Sequence, residues 1–135
     1  MKTFRNPLER VLEIRRLQQR QSEADAAVAL RDRDRALEVL DQLEARRRDV
    51  ARNLPAATDP GTGRLLLARE GYVEHLRERA RNQQERVGAL EQTLSEKQAN
   101  AVDARRETRK FEMLEDRLRD RWRRAFAREE QAMHD

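Results

Sequence analysis

The residues of this sequence that could do acid-base or metal chemistry are few and far apart. The two histidines, His75 and His134, are expected at opposite ends of the molecule, and the chain has no cysteine. A metal site needs several such ligands in one place. Carboxylates are abundant, but cations follow them at helical spacing, as in Glu74 and Arg77, and this pattern is typical of a solvated helix face. We therefore expect no catalytic residue, no metal site and no cofactor, and so no enzyme.

Residues 61–63 read Gly-Thr-Gly, a spacing that occurs in phosphate-binding loops. Such a loop follows a strand and carries a lysine, and neither feature is present here. The short sequence is better interpreted as part of a turn between helices.

A single long helix of roughly seventy residues, or about 100 Å, is predicted from Leu65 to Met133. Two interleaved seven-residue rows run through it, and their alternating steps of three and four are typical of a left-handed coiled coil. The first row is Val73, Ala80, Val87, Leu94, Ala101 and Thr108, and the second is Leu76, Gln83, Leu90, Lys97, Ala104, Phe111, Leu118 and Ala125. Such a narrow seam cannot bury itself alone, so the helix needs a partner.

The composition excludes a compact globular domain. Of 135 residues, 41% are charged and only 4% are aromatic, which is too little apolar material for a core of ordinary size. The sequence contains no apolar run long enough to span a membrane, and its start lacks the apolar core of a signal peptide. We therefore expect a cytoplasmic protein.

The net charge of +4 is concentrated in residues 1–20, because cations and carboxylates cancel in the rest of the chain. Nucleic-acid binders usually keep a basic face clear of acids, whereas here the two signs interleave along most of the sequence. We therefore expect no nucleic-acid partner. The alternative, a DNA-binding coil that uses this basic arm, predicts steeply salt-dependent binding.

The first half of the chain supplies the partner helix. Asn6 and Pro7 are a cap and a first helical residue, and the predicted helix spans residues 6–53. Residues 54–63 contain Pro55 and Pro60 and predict a loop, with Asp59 or Thr62 capping a second helix over 64–134. The predicted fold is all-α: one domain, 1–135, forming an antiparallel two-helix coiled-coil hairpin with a longer second helix.

The unequal helix lengths predict an apolar strip without a cover. If the helices pair residue for residue from the loop, the second helix extends beyond the first from about residue 111 onward. Trp122, the only tryptophan, and Phe126 then lie where the first helix cannot cover them. Exposed aromatic residues of this kind are typical of protein-protein contacts.

Four segments of the sequence resemble the FliJ family and its YscO-type relatives, which are small charged hairpins of type III export systems. The segments share spacing and composition with that family across nearly the whole chain. They are Phe4-x-x-Pro7-Leu8-Glu9-Arg10-Val11-Leu12-x-x-Arg15, Tyr72-Val73-x-x-Leu76, Gln84-Glu85-Arg86-Val87-x-x-Leu90, and Arg109-Lys110-x-Glu112-x-Leu114-x-x-Arg117 with Glu129-Glu130-Gln131.

The resemblance implies a protein that resembles the central stalk of a rotary ATPase. It implies that the end with both termini inserts into the hexameric export ATPase and that the coil couples this ring to the cytosolic part of the export gate, at the inner membrane. Export chaperones are further implied partners, without a site that can be placed. By position, the ATPase-facing residues are Val11, Leu12, Arg15, Leu118, Trp122 and Phe126. The gate-facing residues are Leu43, Arg46, Val50, Tyr72 and Leu76, although Arg46 and Val50 stand where aromatic-rich family members tend to have tyrosines.

Besides the DNA-binding coil, the sequence leaves open an alternative of a different class. A generic structural coiled coil would use the same seam to self-associate into a dimer or a four-helix bundle, as a scaffold or adaptor. Neither reading distinguishes a flagellar from a virulence system.

Overall fold

A computed structural model describes residues 3–53 and 61–135. Two helices account for almost all of them: α1 is Glu9–Arg52, with 44 residues, and α2 is Thr62–His134, with 73 residues. The helices pack against each other as a hairpin, which confirms the predicted all-α fold with a longer second helix. Within the described residues, neither helix is apolar enough over a sufficient length to cross a membrane.

The predicted cap at the start of α1 is present. The Asn6 side-chain oxygen Oδ1 accepts a hydrogen bond from the backbone N–H of Leu8 at 2.9 Å, as a capping residue does. Pro7 and Leu8 form a turn, and regular helix begins at Glu9, three residues later than predicted. The backbone N–H of Leu12 then donates to the Leu8 carbonyl at 2.9 Å.

The second helix begins at a glycine rather than at the predicted caps. Gly61 has a φ of +84°, a conformation that side chains disfavour, and its carbonyl accepts the N–H groups of Arg64 at 3.1 Å and Leu65 at 3.2 Å. Thr62 is therefore the first residue of α2, two residues before the predicted start. Asp59, the other predicted cap, and the rest of loop 54–60 lie outside the described residues.

The chain forms two compact units, and the first consists of Ala27–Ser95. Its core contains alternate positions of the predicted seam, with Ala80 and Val87 packed against Ala36 and Leu40. Gln83, a polar seam residue, is half-buried, and its Nε2 donates to the Ala36 carbonyl at 2.9 Å. This hydrogen bond satisfies a polar group inside the apolar seam and fixes the register of the two helices.

The second unit combines Met1–Ala26 with Glu96–Asp135, and we call it the terminal unit. Leu12 is 1% exposed, and Thr108 is 3% exposed, as its seam position predicts. The Thr108 hydroxyl lies 3.0 Å from the Ala104 carbonyl and 3.3 Å from the Arg15 carbonyl, so the buried oxygen has acceptors on both helices. The predicted seam thus holds in this unit as well.

The prediction that α2 extends beyond α1 from about residue 111 onward was wrong. Arg15 of α1 holds its guanidinium carbon 5.4 Å from the centre of the Phe111 ring, so helix α1 continues for further turns beyond the point opposite Phe111. The reason lies in the register. In the unit Ala27–Ser95, α2 has more residues between its start and Gln83 than α1 has between Ala36 and its end. Some of the additional residues of α2 therefore lie between the loop and the Gln83–Ala36 contact, and fewer remain to extend beyond α1 at the other end.

Candidate functional site

Three aromatic rings meet in the terminal unit, and we call them the aromatic cluster: Phe4, Trp122 and Phe126. The centres of the Phe4 and Trp122 rings are 5.9 Å apart, with the planes tilted by 56°. Trp122 and Phe126 stack with their centres 5.3 Å apart and an angle of 17°. Both distances lie in the range of favourable aromatic pairs. All three side chains are half-buried, so each keeps part of its surface in solvent.

Helical spacing and the capped turn position these rings. Trp122 and Phe126 are four residues apart on α2, which places them on one face of the helix. Phe4 belongs to the segment before α1, and the Asn6 cap and Pro7 hold the direction of this segment. A shallow groove between the segment and α2 is lined by Thr3, Phe4, Arg5, Pro7, Leu118 and Trp122.

A cation lies against the outer ring of the cluster. The Arg119 guanidinium carbon is 5.5 Å from the centre of the Phe4 ring, within cation-π range. The same guanidinium donates from Nη2 to Oε1 of Glu115 at 3.0 Å. Glu115 therefore orients Arg119 over Phe4. The arrangement joins an apolar surface to a positive charge.

The structure brings only some of the predicted ATPase-facing residues into this cluster. Leu118, Trp122 and Phe126 lie together on α2 and are half-buried. Leu12 is 1% exposed, so it belongs to the core and offers no surface to a partner. Val11 and Arg15 are half-buried, and the guanidinium of Arg15 is occupied by Phe111.

Sequence reasoning missed Phe4 and Arg119 as members of the site. Phe4 appeared only as the first residue of a segment that resembles a family, and Arg119 was one of many arginines. What remained to be recognised was that Phe4, near the N-terminus, contacts Trp122 in the last part of α2. Nothing in the seven-residue periodicity covers residues 3–8, so that pairing has no sequence pattern.

The predicted gate-facing residues divide into buried and exposed ones. Leu43 is 4% exposed and Leu76 is 1% exposed, and both therefore serve the core of the unit Ala27–Ser95. Val50 is half-buried, Arg46 is exposed, and Tyr72 is 45% exposed. Only these last three have surface that another protein could contact.

The described residues contain no group of three or more His, Cys, Asp and Glu side chains placed to hold a metal ion. The carboxyl group of Glu23 has a pKa that differs from its ordinary value. The Gln19 amide lies 3.1 Å from Oε1 of Glu23, and Nη2 of Arg105 lies 3.1 Å from the same oxygen. These two donors, Gln19 first, hold the pKa of Glu23 below its ordinary value of 4.5. Gln19 lies on α1 with Glu23, whereas Arg105 lies on α2, so the second of these hydrogen bonds joins the two helices and gives the shift a structural role.

The fold defines a class, two-helix hairpins with a longer second helix, and the aromatic cluster is its candidate contact surface. Residues 4–135 match the family described as the flagellar FliJ protein, and the chain therefore belongs to the FliJ family. This family consists of structural components of the flagellar export apparatus and is not a family of enzymes. No curated protein sequence and no solved structure matches the chain.

Proposed function

We propose that this protein is a stalk-like component that binds the hexameric export ATPase and couples it to the export gate. In this proposal it has no catalytic activity of its own. It works in the cytoplasm and reaches the inner membrane only through the export apparatus. Export chaperones are further proposed partners.

The aromatic cluster is the observation that carries the ATPase contact. Family membership supplies the setting, since the ATPase and the gate belong to the same apparatus. The cluster lies in the unit that contains both termini, which is the part that would enter the ring. Three aromatic rings with solvent-facing surface offer the large contact area that hot spots of protein interfaces use.

Charge supports the same assignment. Residues 1–20 carry a surplus of cations, among them Arg5 beside the groove next to Trp122. Positive charge around an apolar centre steers a partner with acidic surface and fixes its orientation. We therefore assign the ATPase contact to Leu118, Trp122 and Phe126, with Val11 and Arg15 at its edge. Leu12 supports these residues from the core.

The direct test is stimulation of the purified export ATPase. Trp122→Ala combined with Phe126→Ala should abolish most of the stimulation, while circular dichroism shows unchanged helicity. The matched control is Leu17→Ala combined with Val28→Ala, two apolar residues that are 60% and 51% exposed on α1. The control should stimulate as the unaltered protein does. Full stimulation by the Trp122 and Phe126 variant would refute the ATPase contact.

The gate contact is proposed for the exposed residues Arg46 and Tyr72, with Val50 one helical turn after Arg46 on α1. Arg46→Ala combined with Tyr72→Ala should weaken binding to the cytosolic domain of the gate in a calorimetric titration. Leu76 is unsuitable for this test, because removing a buried leucine costs about 2–5 kcal/mol of stability. Affinity equal to that of the unaltered protein would remove the gate contact and leave the ATPase contact standing.

One observation favours self-association as a second function. Three consecutive leucines at the start of α2 expose much of their surface: Leu65 57%, Leu66 37% and Leu67 71%. Apolar side chains this exposed can join two copies of a chain. Sedimentation at micromolar concentration separates the proposals, because a stalk should be mainly monomeric, whereas a scaffold should form dimers that Leu65→Ser with Leu67→Ser disrupts.

A further inference from the structure

A second surface of the terminal unit is basic, and we call it the basic groove. It is a shallow depression between side chains of α2, and it contains five cations, two apolar side chains and no carboxylate. The lining residues are Arg105, Arg106, Arg109, Lys110, Met113, Leu114 and Arg117. They repeat at intervals of one helical turn and therefore form one stripe along the helix.

Met113, in the middle of the basic groove, lies on the opposite side of α2 from Trp122 of the aromatic cluster. Met113 and Trp122 are nine residues apart, which is two and a half helical turns, so their side chains leave the helix in opposite directions. Met113 is 49% exposed, whereas Thr108 of the seam is buried. The part of the basic groove around Met113 therefore lies away from the seam, whereas Arg105 at its edge contacts Glu23 of α1. A partner could occupy the part around Met113 while the aromatic cluster is also occupied.

The positive charges of the basic groove are largely uncompensated. Arg105 pairs with Glu23 of α1 at 3.1 Å. Within the described residues, no carboxylate lies at ion-pair distance from Arg106, Arg109, Lys110 or Arg117. Four of the five cations that line the basic groove thus form no ion pair within the described residues.

We propose that the basic groove is a docking site for an acidic amphipathic helix of another protein. Carboxylates on the two flanks of such a helix pair with the cations, and arginine forms strong, directional hydrogen bonds to carboxylate. Apolar residues along its centre contact Met113 and Leu114. Methionine suits this role because its flexible side chain adapts to different apolar surfaces. This is recognition of a helix in a groove, with charge complementarity fixing the partner's register.

A helix explains this surface better than a nucleic acid or a membrane does. Phosphate recognition favours cations kept clear of acids, whereas Asp116 and Asp120 are exposed on the same part of α2. Two apolar side chains give too little area for insertion into a bilayer. A partner helix can place its carboxylates beside the arginines and away from the two aspartates.

Calorimetry with a synthetic peptide tests the proposal. The probe is an amphipathic helix with a leucine stripe flanked by glutamates, and it should bind the full chain with an affinity that falls as salt is raised. Arg109→Glu combined with Lys110→Glu should weaken binding at least about tenfold, or about 1.4 kcal/mol. The matched control is Arg47→Glu combined with Arg48→Glu, two exposed neighbouring arginines on α1, which changes the net charge equally and should leave binding nearly intact.

The contact of the peptide's leucines with Met113 is tested by a separate variant. Met113→Ala should weaken peptide binding at least about threefold without changing helicity. Equal binding of a peptide with serines in place of the leucines would overturn the proposal. It would also be overturned if the control variant lost as much affinity as the variant in the basic groove. Binding of duplex DNA or phosphatidylserine vesicles under conditions in which the peptide does not bind would likewise overturn it.

Discussion

The centre of the Phe4 ring lies 5.9 Å from the centre of the Trp122 ring, so a residue that precedes the first helix covers part of the only tryptophan in the chain. Phe4 belongs to no helix and has two aromatic or cationic contacts, with Trp122 and with Arg119. Segments with few packed neighbours open at a low free-energy cost. The solvent exposure of Trp122 therefore depends in part on Phe4, a side chain outside both helices.

The first prediction concerns that cover. Phe4→Ala should shift the fluorescence emission of Trp122 to longer wavelength, because water replaces the phenyl ring, while helicity measured by circular dichroism stays the same. Leu17→Ala, which removes an apolar side chain that is 60% exposed, should leave the emission unchanged. An emission spectrum of Phe4→Ala identical to that of the unaltered protein would show that Phe4 does not cover Trp122 in solution.

Periodicity was sufficient to predict the seam. Ala80, Val87, Leu94 and Ala101, taken from one seven-residue row, are all buried. A row of this spacing stays on one side of a coiled coil, so burial follows from the sequence alone once a partner helix exists. The one residue of this row that is not fully buried is its first, Val73, which is half-buried near the end of α1.

The register and the aromatic cluster could not be derived in this way. Counting residues from the loop assumes that both helices begin to pair at the same distance from it, and Arg15 beside Phe111 shows that they do not. The contact of Phe4 with Trp122 depends on residues 3–8, which lie outside any periodic pattern. Leu12 and Leu76 were assigned to partner contacts by their positions in the family resemblance, and such positions do not distinguish a core residue from an interface residue.

The second prediction separates core from surface leucines. Leu76→Ala should lower the free energy of unfolding by about 2–5 kcal/mol, because this side chain is 1% exposed and its removal leaves a cavity. Leu67→Ala removes the same atoms from a residue that is 71% exposed and should change it by less than about 0.5 kcal/mol. Urea denaturation followed by circular dichroism measures both. Equal effects would mean that the seam near Leu76 is not packed in solution.

The third prediction contrasts two glycines. Gly88 lies in the interior of α2, and a Cβ atom there would meet nothing within 4 Å. Gly88→Ala should therefore raise the free energy of unfolding by about 1 kcal/mol. A Cβ atom at Gly61 would also meet nothing within 4 Å, but Gly61 has a φ of +84°. Gly61→Ala should therefore lower the free energy of unfolding by about 1 kcal/mol. Opposite shifts of the urea midpoint are expected, and shifts of the same sign would contradict the assigned start of α2.

The fourth prediction concerns the pH dependence of the contact at Glu23. Hydrogen bonds from Gln19 and Arg105 lower the pKa of this carboxyl below 4.5, so its contribution to stability is present above the ordinary pKa and is lost as the pH falls through the lowered value. Glu23→Gln should therefore reduce the melting temperature slightly at neutral pH and have no effect once the pH is well below the lowered pKa of Glu23. A difference between the two proteins that grows as the pH falls would contradict this sign.

Fluorine NMR of Trp122 tests the central proposal most directly. Fluorotryptophan can be incorporated into this protein alone, and its single tryptophan then reports only on the aromatic cluster, even when the export ATPase contains tryptophans of its own. Addition of the ATPase should shift or broaden the resonance, and addition of the gate's cytosolic domain should not. A resonance that stays unchanged while sedimentation shows the ATPase bound would contradict a contact through Trp122.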